Sequence, residues 1–143
     1  MFIKQLSVFV ENKPGRLADI TATIARASID IRALSIADTT DFGILRLVVD
    51  KPAEAEKTLK DAGLTVSLTN VIAIGIADKP GGFADAMKIF AEKGISIEYM
   101  YAFVSRDTDR AYLIMRVKDS ESAVSILNES GLEILTEDKV YSM

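Results

Sequence analysis

Two short segments of the chain carry groups that could bind a small anion. The first reads NKPGRL and spans residues 12–17, and the second reads DKPGGF and spans residues 78–83. Pro cannot donate a backbone hydrogen bond and Gly lets another backbone approach closely, so each Lys-Pro-Gly run predicts a tight turn into a helix. The first-turn amides of such a helix lack internal partners, and with the positive end of the helix dipole they favour a carboxylate.

The side chains at these two turns, which we call the first corner (residues 12–17) and the second corner (residues 78–83), differ. Asn12 can both donate and accept hydrogen bonds and could hold the backbone groups of an amino acid, with Lys13 and Arg16 beside it. The matching residues of the second corner are Asp78, Lys79 and Gly82. The alternative is purely structural, with Pro-Gly opening a helix, Asn12 capping it and the cations solvated.

A further carboxylate follows the first corner in sequence. Asp30 begins the predicted second strand, which we expect next to the corner, and its carboxylate could take an ammonium group. Its counterpart in the second half of the chain is Ser96. The alternative for Asp30 is that it only opens a strand.

Both corners belong to an internal repeat. Residues 6–31 align with residues 72–97 at an offset of 66 (72 − 6 = 66), and the offset near the end of each copy is 68 (131 − 63 = 68). The change in length falls within the polar turns ADTTDFG and SRDTDRA, where insertions are tolerated. We interpret the chain as two copies of one unit of about seventy residues. Equivalent pairs include Pro14 and Pro80, Gly15 and Gly81, and Gly63 and Gly131.

Hydrophobic periodicity gives each copy the order β-α-β-β-α-β. In the first copy, Asp50 is a candidate N-cap and Pro52 suits the first turn of the second helix. The predicted strands of this copy are residues 3–10, residues 29–37, ILRLVVD and LTVSL, and its first helix starts near Gly15.

The second copy follows the same order. Its predicted strands lie near residues 70–77, 95–104, 110–118 and 132–137, and its predicted helices near residues 82–93 and 120–130. For the tail EDKVYSM we consider two structures: it continues the last strand, or it pairs with a sheet edge.

The predicted fold class is α+β, with two ferredoxin-like βαββαβ units packed as a tandem pair. Each unit is an antiparallel four-stranded sheet with its helices on one face. The predicted units are residues 1–69 and residues 70–143, with almost no linker between them.

Composition excludes several classes of function. The chain has 143 residues without Cys or His, which excludes disulfides, thiolate nucleophiles and most zinc sites. A net charge of −4 argues against nucleic-acid binding. No apolar run approaches the ~20 residues of a membrane span, and the N-terminus leads into a strand pattern without a signal peptide. We expect a cytoplasmic protein that is not an enzyme and uses no cofactor or metal, and has no membrane partner.

Together, the βαββαβ order, the corner NKPGRL with IDI at residues 29–31, and their echoes DKPGGF and ISI at residues 95–97 resemble ACT domains. These are small regulatory modules of amino-acid metabolism, and the resemblance covers nearly the whole chain as a tandem pair. ACT modules usually sit on an enzyme, for which this chain has no room. The resemblance therefore implies a stand-alone amino-acid sensor or the regulatory subunit of a separate metabolic enzyme, and an allosteric homodimer.

The resemblance also implies that the ligand, an amino acid or similar small carboxylate, binds at the interface between two paired modules. The corner contributes backbone amides and an Asn-type side chain, and the start of the second strand contributes another polar group. The two sites are not expected to be equivalent, because the second corner has Asp78 in place of the Asn, which would repel a carboxylate but could accept an ammonium group. Asp30 is a further departure, since ligand-binding members tend to carry an amide at this position, and it affects how the ligand would be held. The implied positions are Asn12, Lys13, Pro14, Gly15, Arg16, Leu17, Asp30 and Ile31, and Asp78, Lys79, Gly81, Gly82, Phe83, Ser96 and Ile97.

Three other functions remain open. A small enzyme of the acylphosphatase type would use Arg16 and Asn12 to hold a phosphate and orient water. A tandem RNA-recognition protein shares the βαββαβ order but should expose aromatic residues on its central strands, where we find only Tyr112. A ligand-free adaptor subunit would use the duplication for pairing alone, with the aromatic run YMYAF (residues 99–103) at an interface.

Overall fold

In the computed structural model of the chain, residues 2–38, 41–103, 106 and 109–143 are described. The chain forms two compact units. We call Lys4–Thr69 the first unit, and Asn70–Met143 with the N-terminal residues up to Ile3 the second unit.

Each unit has the predicted order β-α-β-β-α-β, which confirms the fold class. The fourth strand of the first unit continues in sequence as the first strand of the second unit. The elements are β1 (Ile3–Glu11), α1 (Arg16–Arg26), β2 (Ile31–Asp38), β3 (Phe42–Val49), α2 (Pro52–Asp61), β4 (Val66–Ala77), α3 (Gly82–Glu92), β5 (Ile97–Ala102), β6 (Arg110–Val117), α4 (Ser120–Glu129), β7 (Glu133–Ile134) and α5 (Glu137–Tyr141).

The sheet of the first unit has the strand order β2-β3-β1-β4. β3 is antiparallel to both β1 and β2, with Leu47 opposite Leu6 and also opposite Leu34. Alternate residues of these strands point to the helices and form a buried core with Ile20, Ile24 and Leu59, which have less than 3% of their surface exposed. This alternation is what a sheet with one covered face requires.

The second unit repeats this arrangement with the strand order β7-β4-β6-β5. The pair Leu6–Leu47 of the first unit corresponds to Ile72–Met115 of the second, with shifts of 66 (72 − 6) and 68 (115 − 47). The core of the second unit includes Ile72, Ile74, Phe90, Met115 and Leu127.

Even the irregularities of the two sheets match. A β-bulge lies between Ile31 and Ala33 in the first unit and between Ile97 and Tyr99 in the second. The two-residue change in offset therefore falls between the second and third strands, as predicted. Residues 39, 40, 105, 107 and 108 of the two predicted turns lie outside the described residues, as does residue 104 of the predicted strand 95–104.

The prediction for the C-terminal tail was wrong. β7 ends at Ile134, and the tail forms the short helix α5. The hydroxyl oxygen of Thr136 accepts a hydrogen bond from the Lys139 amide (3.3 Å), and two acidic residues occupy the first turn. Capping and charge at the N-terminus both favour a helix, and the buried Val140 holds it against the unit.

The prediction that Asp50 caps α2 was also wrong. The N-cap of α2 is Lys51, and Pro52 is the first helical residue. The carboxylate of Asp50 instead accepts a hydrogen bond from the Asp30 amide (2.9 Å), while the Asp50 amide donates to the Asp30 carbonyl (3.1 Å). Asp50 therefore joins the end of β3 to the residue before β2.

None of the helices in the described ranges is long and apolar enough to cross a membrane. Among the described residues, no three His, Cys, Asp or Glu side chains are grouped so that they could hold a metal ion.

Candidate functional site

The first corner is a tight turn from β1 into α1. Gly15 caps the helix with a φ of 87°, a left-handed conformation that Gly adopts at little cost. The amide of Lys13 donates to the Glu11 carbonyl (2.8 Å), and the amide of Arg16 donates to the Lys13 carbonyl (3.3 Å). These bonds hold the chain in the turn, while by position the next amides of the helix have no intrahelical acceptor.

The second corner has the same backbone. Gly81 caps α3 with a φ of 88°. The amide of Lys79 donates to the Ala77 carbonyl and the amide of Gly82 to the Lys79 carbonyl, both at 3.0 Å. The two corners therefore differ in their side chains and not in their backbone hydrogen bonds.

The first corner opens into a cleft of about 300 Å³. Four predicted site residues line it together, Asn12, Lys13, Arg16 and Leu17. The other four lining residues were not predicted from the sequence, and they are Val10, Glu11, Ile36 and Gly43. Glu11 could have been predicted from the sequence, because it is charged and immediately precedes the first corner. Ile36 and Gly43 reach the cleft only through the register of β2 and β3.

Charge is concentrated at one end of this cleft. The Glu11 carboxylate lies 3.0 Å from the Lys13 ammonium and 3.7 Å from the Arg16 guanidinium. The hydrogen bond from Lys13 and the positive charges of Lys13 and Arg16 hold the pKa of Glu11 below its usual range. At neutral pH the cleft therefore presents two cations and one carboxylate on exposed side chains, and Asn12 lines the same cleft.

The second corner lacks this group of charges. Ala77 stands where the first unit has Glu11, and Gly82 stands where it has Arg16. Gly82 is buried, and a Cβ at this position would overlap the carbonyl oxygen of Ala77. We conclude that Gly82 is required by packing. Asp78 and Lys79 are exposed at this corner, as is Phe83.

The charges of the second unit lie in a neighbouring cleft of about 250 Å³, lined in part by Gly82, Arg110 and Glu133. Glu133 accepts hydrogen bonds from Arg110 and from the Lys139 ammonium of α5 (2.9 Å). The Lys139 hydrogen bond is the main cause that keeps the pKa of Glu133 low, and Arg110 adds to it against the opposing effect of burial. In this cluster one carboxylate pairs with two cations, and the Lys139 bond ties α5 to the sheet.

The structure does not place Asp30 next to the first corner, and that prediction was wrong. Glu11 pairs with Phe42 at the start of β3, whereas Ile31 pairs with Val49 at its end. At about 3.3 Å per residue, these ends are roughly 20 Å apart. Asp30 instead pairs with the Arg32 guanidinium (3.1 Å).

The second unit repeats this separation. Ile97 pairs with Val117 at the end of β6, and Ala77 pairs with Arg110 at its start. Ser96 lines a cleft of about 580 Å³ with Lys118 and Asp119, away from the second corner. Ile31 and Ile97 pack against the hydrophobic cores of their units, and Pro14 is an exposed residue of the turn.

The aromatic residues exposed on the central strands are not the ones that the sequence predicted. Tyr112 is only 5% exposed and packs edge-to-face against Phe103 (6.2 Å), so it is not available to stack on a base. The observed β3 begins at Phe42, which is exposed together with Phe9 on β1. The acidic net charge disfavours RNA binding, but exposed aromatic side chains are present.

Three solved structures match 87% or more of this chain. A crystal structure of a protein from Bacteroides thetaiotaomicron is 36% identical, covers 100% of this chain and 98% of its own, and superposes with a TM-score of 0.94. The ligand-free regulatory subunit of aspartate kinase from Thermus thermophilus is 17% identical, with a TM-score of 0.63 over 88% of this chain and 91% of its own. The corresponding subunit from Thermus flavus is 18% identical, with a TM-score of 0.61 over 87% of this chain and 88% of its own.

The two aspartate kinase subunits share the fold with this chain. No curated protein gives a significant match. The family model described as an ACT domain pair matches residues 1–143. Since the match spans the whole chain, and both units have the βαββαβ order with the same corner, the chain belongs to the family of ACT domain pairs.

Proposed function

We propose that the chain is a regulatory protein that binds an amino acid or a similar small carboxylate at the first corner. The observation that carries the proposal is the cleft in which Glu11, Asn12, Lys13 and Arg16 come together. A free amino acid has a carboxylate and an ammonium group on one carbon. The two cations and the Asn12 amide suit the carboxylate, and Glu11 suits the ammonium group.

In this proposal Glu11 takes the role that the sequence assigned to Asp30. Glu11 already touches both cations, whereas Asp30 lies at the other end of β3. A ligand carboxylate would compete with Glu11 for Lys13 and Arg16, and the released Glu11 oxygen would accept from the ligand ammonium. This exchange keeps every charge paired.

We propose further that a second ACT module covers the ligand, in a homodimer. The Lys13 and Arg16 side chains are 67% and 46% exposed, so the corner by itself would leave a ligand largely in water. Binding sites usually bury most of a small ligand. A second surface would exclude water and strengthen the charged hydrogen bonds.

We propose that ligand binding changes how the chain acts on a separate metabolic enzyme in the cytoplasm. The fold shared with regulatory subunits of aspartate kinase supports this proposal. A ligand that binds one arrangement of the modules more tightly than another shifts the population between them. The acylphosphatase-type alternative is less favoured, because an acyl phosphate has no ammonium group to pair with the Glu11 carboxylate that it would displace from Arg16.

A thermal-shift screen of the full chain against the twenty amino acids tests the proposal. A ligand at a hundredfold excess over its Kd should stabilise the protein by about 2.7 kcal/mol. We expect at least one amino acid to raise the Tm, Asn12→Ala to lose the shift, and Asp78→Ala at the second corner to keep it. No shift with any amino acid would contradict the proposal and favour the ligand-free adaptor.

A further inference from the structure

The first corner cleft has an apolar side as well as a charged end. Leu17 of α1 and Ile36 of β2 line it, and they are 41% and 53% exposed. Val10, only 4% exposed, lies behind them. Large exposed aliphatic side chains are costly to leave in water and often mark a place where a ligand or partner binds.

The register of the sheet explains why these groups meet at the charged corner. Ile36 is opposite Leu45, and Gly43 is opposite Val10, so both belong to the face of the sheet that the helices cover. Gly43 has no side chain, and a Cβ there would touch the Cγ1 and Cδ1 atoms of Ile36 at 3.5 Å. The absence of this methyl group leaves room beside Ile36 at the base of the cleft.

We propose that the first corner selects an amino acid with an aliphatic side chain, of the size of valine, leucine or isoleucine. The inference rests on the proposed function, because the charged end would hold the carboxylate and ammonium groups common to all amino acids. The side chain of the ligand would then lie against Leu17, Ile36 and Val10. A charged ligand side chain on this apolar side would lose water without gaining a partner there, because Glu11, Lys13 and Arg16 would already hold the carboxylate and ammonium groups of the ligand.

The second unit shows the contrast. Ala102 stands where the first unit has Ile36, and Ala111 stands where it has Gly43. The second corner therefore lacks both the aliphatic side chain and the space beside it, and its Asp78 disfavours a carboxylate.

Calorimetric titration of the full chain with leucine, alanine, aspartate and lysine tests this selectivity. Each buried methylene is worth about a fourfold gain in affinity, so we expect leucine to bind at least about tenfold more tightly than alanine. Aspartate and lysine should bind more weakly than leucine.

Three variants locate the selectivity. Ile36→Ala should lower leucine affinity by about tenfold and leave alanine affinity unchanged. Leu34→Ala is the matched control, because Leu34 is 46% exposed on the same face of β2 but does not line the cleft. Gly43→Ala introduces the residue that the second unit carries, fits without a clash, and should weaken leucine more than alanine.

The outcomes separate this inference from the proposed function. If amino acids bind but leucine is no tighter than alanine, or Ile36→Ala and Leu34→Ala have equal effects, the aliphatic selectivity is wrong and the corner site stands. If no amino acid binds the wild-type chain, both proposals fail. If Ile36→Ala weakens self-association in light scattering without changing the preference for leucine, the exposed side chains are a contact between copies, which overturns the inference.

Discussion

The first and second corners have nearly the same backbone. Their capping glycines have φ angles of 87° and 88°. The backbone amides of residues 12, 13 and 16 donate hydrogen bonds at the first corner, and those of residues 78, 79 and 82 donate the equivalent bonds at the second. Their side chains are different in kind. The first corner gathers Glu11, Lys13 and Arg16 around a cleft, and the second has Ala77 and a buried Gly82 in the places of Glu11 and Arg16. The turn therefore has the same backbone role in both units, and we propose that its charged side chains serve a ligand only in the first.

The second unit uses its charges for structure. Arg110, Glu133 and Lys139 form a paired cluster, and the Lys139 ammonium lies 5.7 Å from the centre of the Tyr112 ring. This cluster holds α5 on the sheet together with the buried Val140. The first unit has Phe42 and Thr65 in the places of Arg110 and Glu133, so it has no equivalent of this cluster at those positions.

The largest difference between the corners should be the stability lost when a substitution adds one methyl group at the second corner. Gly82→Ala places a Cβ against the Ala77 carbonyl and should destabilise the second unit by about 3 kcal/mol, the upper end for overpacking. Urea unfolding measures the loss, and amide exchange in α3 assigns it to the second unit. Arg16→Ala, at the matching exposed position of the first unit, should change stability by less than about 0.5 kcal/mol. Equal losses would show that the corners do not differ in packing.

A smaller difference is expected at the other end of the sheets. Asp50→Ala removes the acceptor for the Asp30 amide and should cost about 1 kcal/mol in the free energy of unfolding. The second unit has Lys118 at the position of Asp50, and Lys118→Ala should have almost no effect. Asp50→Asn keeps an acceptor oxygen and should lose less than Asp50→Ala. If Lys118→Ala lowered the free energy of unfolding as much as Asp50→Ala does, the loss could not be assigned to the hydrogen bond between Asp50 and Asp30.

The smallest of the expected changes in the free energy of unfolding concerns Glu133 and depends on pH. Lys139 and Arg110 lower the pKa of Glu133 in the folded chain, so this carboxylate stabilises the fold above its unfolded pKa. That stability is lost as pH falls through the lower folded pKa. We expect Glu133→Gln to reduce the free energy of unfolding by at most about 1 kcal/mol at neutral pH, with the difference from wild type shrinking below pH ~4.5.

Unfolding curves between pH 3 and pH 7 measure this change. Glu11 also has a lowered pKa, but its side chain is in solvent at the first corner, so Glu11→Gln should have a smaller effect. If Glu11→Gln changed the pH dependence of the free energy of unfolding more than Glu133→Gln, the charges at the first corner would be the structural ones.

Local signals in the sequence were enough for most of the fold. Alternating strands, helical stripes and the paired Lys-Pro-Gly runs identified both units, because these elements bury one face and have turns that demand Gly. The tail was missed, although Thr136 followed by two acidic residues is a capping signal. A five-residue helix has too little periodicity to reveal itself against a strand.

The site was only partly predictable, because its residues come from separate strands. Asn12, Lys13, Arg16 and Leu17 are local to the corner, and the structure shows that all four line the cleft. Ile36 and Gly43 enter the cleft through strand register, which the sequence does not state. Asp30 was misplaced because α1 runs back along the sheet, so β2 starts at the end opposite the corner.

We propose that the first corner binds a ligand and that the second does not. Calorimetric titration of the full chain with the amino acid that raises the Tm most measures the number of ligands bound. We expect one ligand per chain, loss of binding in Asn12→Ala and unchanged binding in Asp78→Ala. Two ligands per chain, or binding that survives Asn12→Ala and is lost in Asp78→Ala, would contradict it.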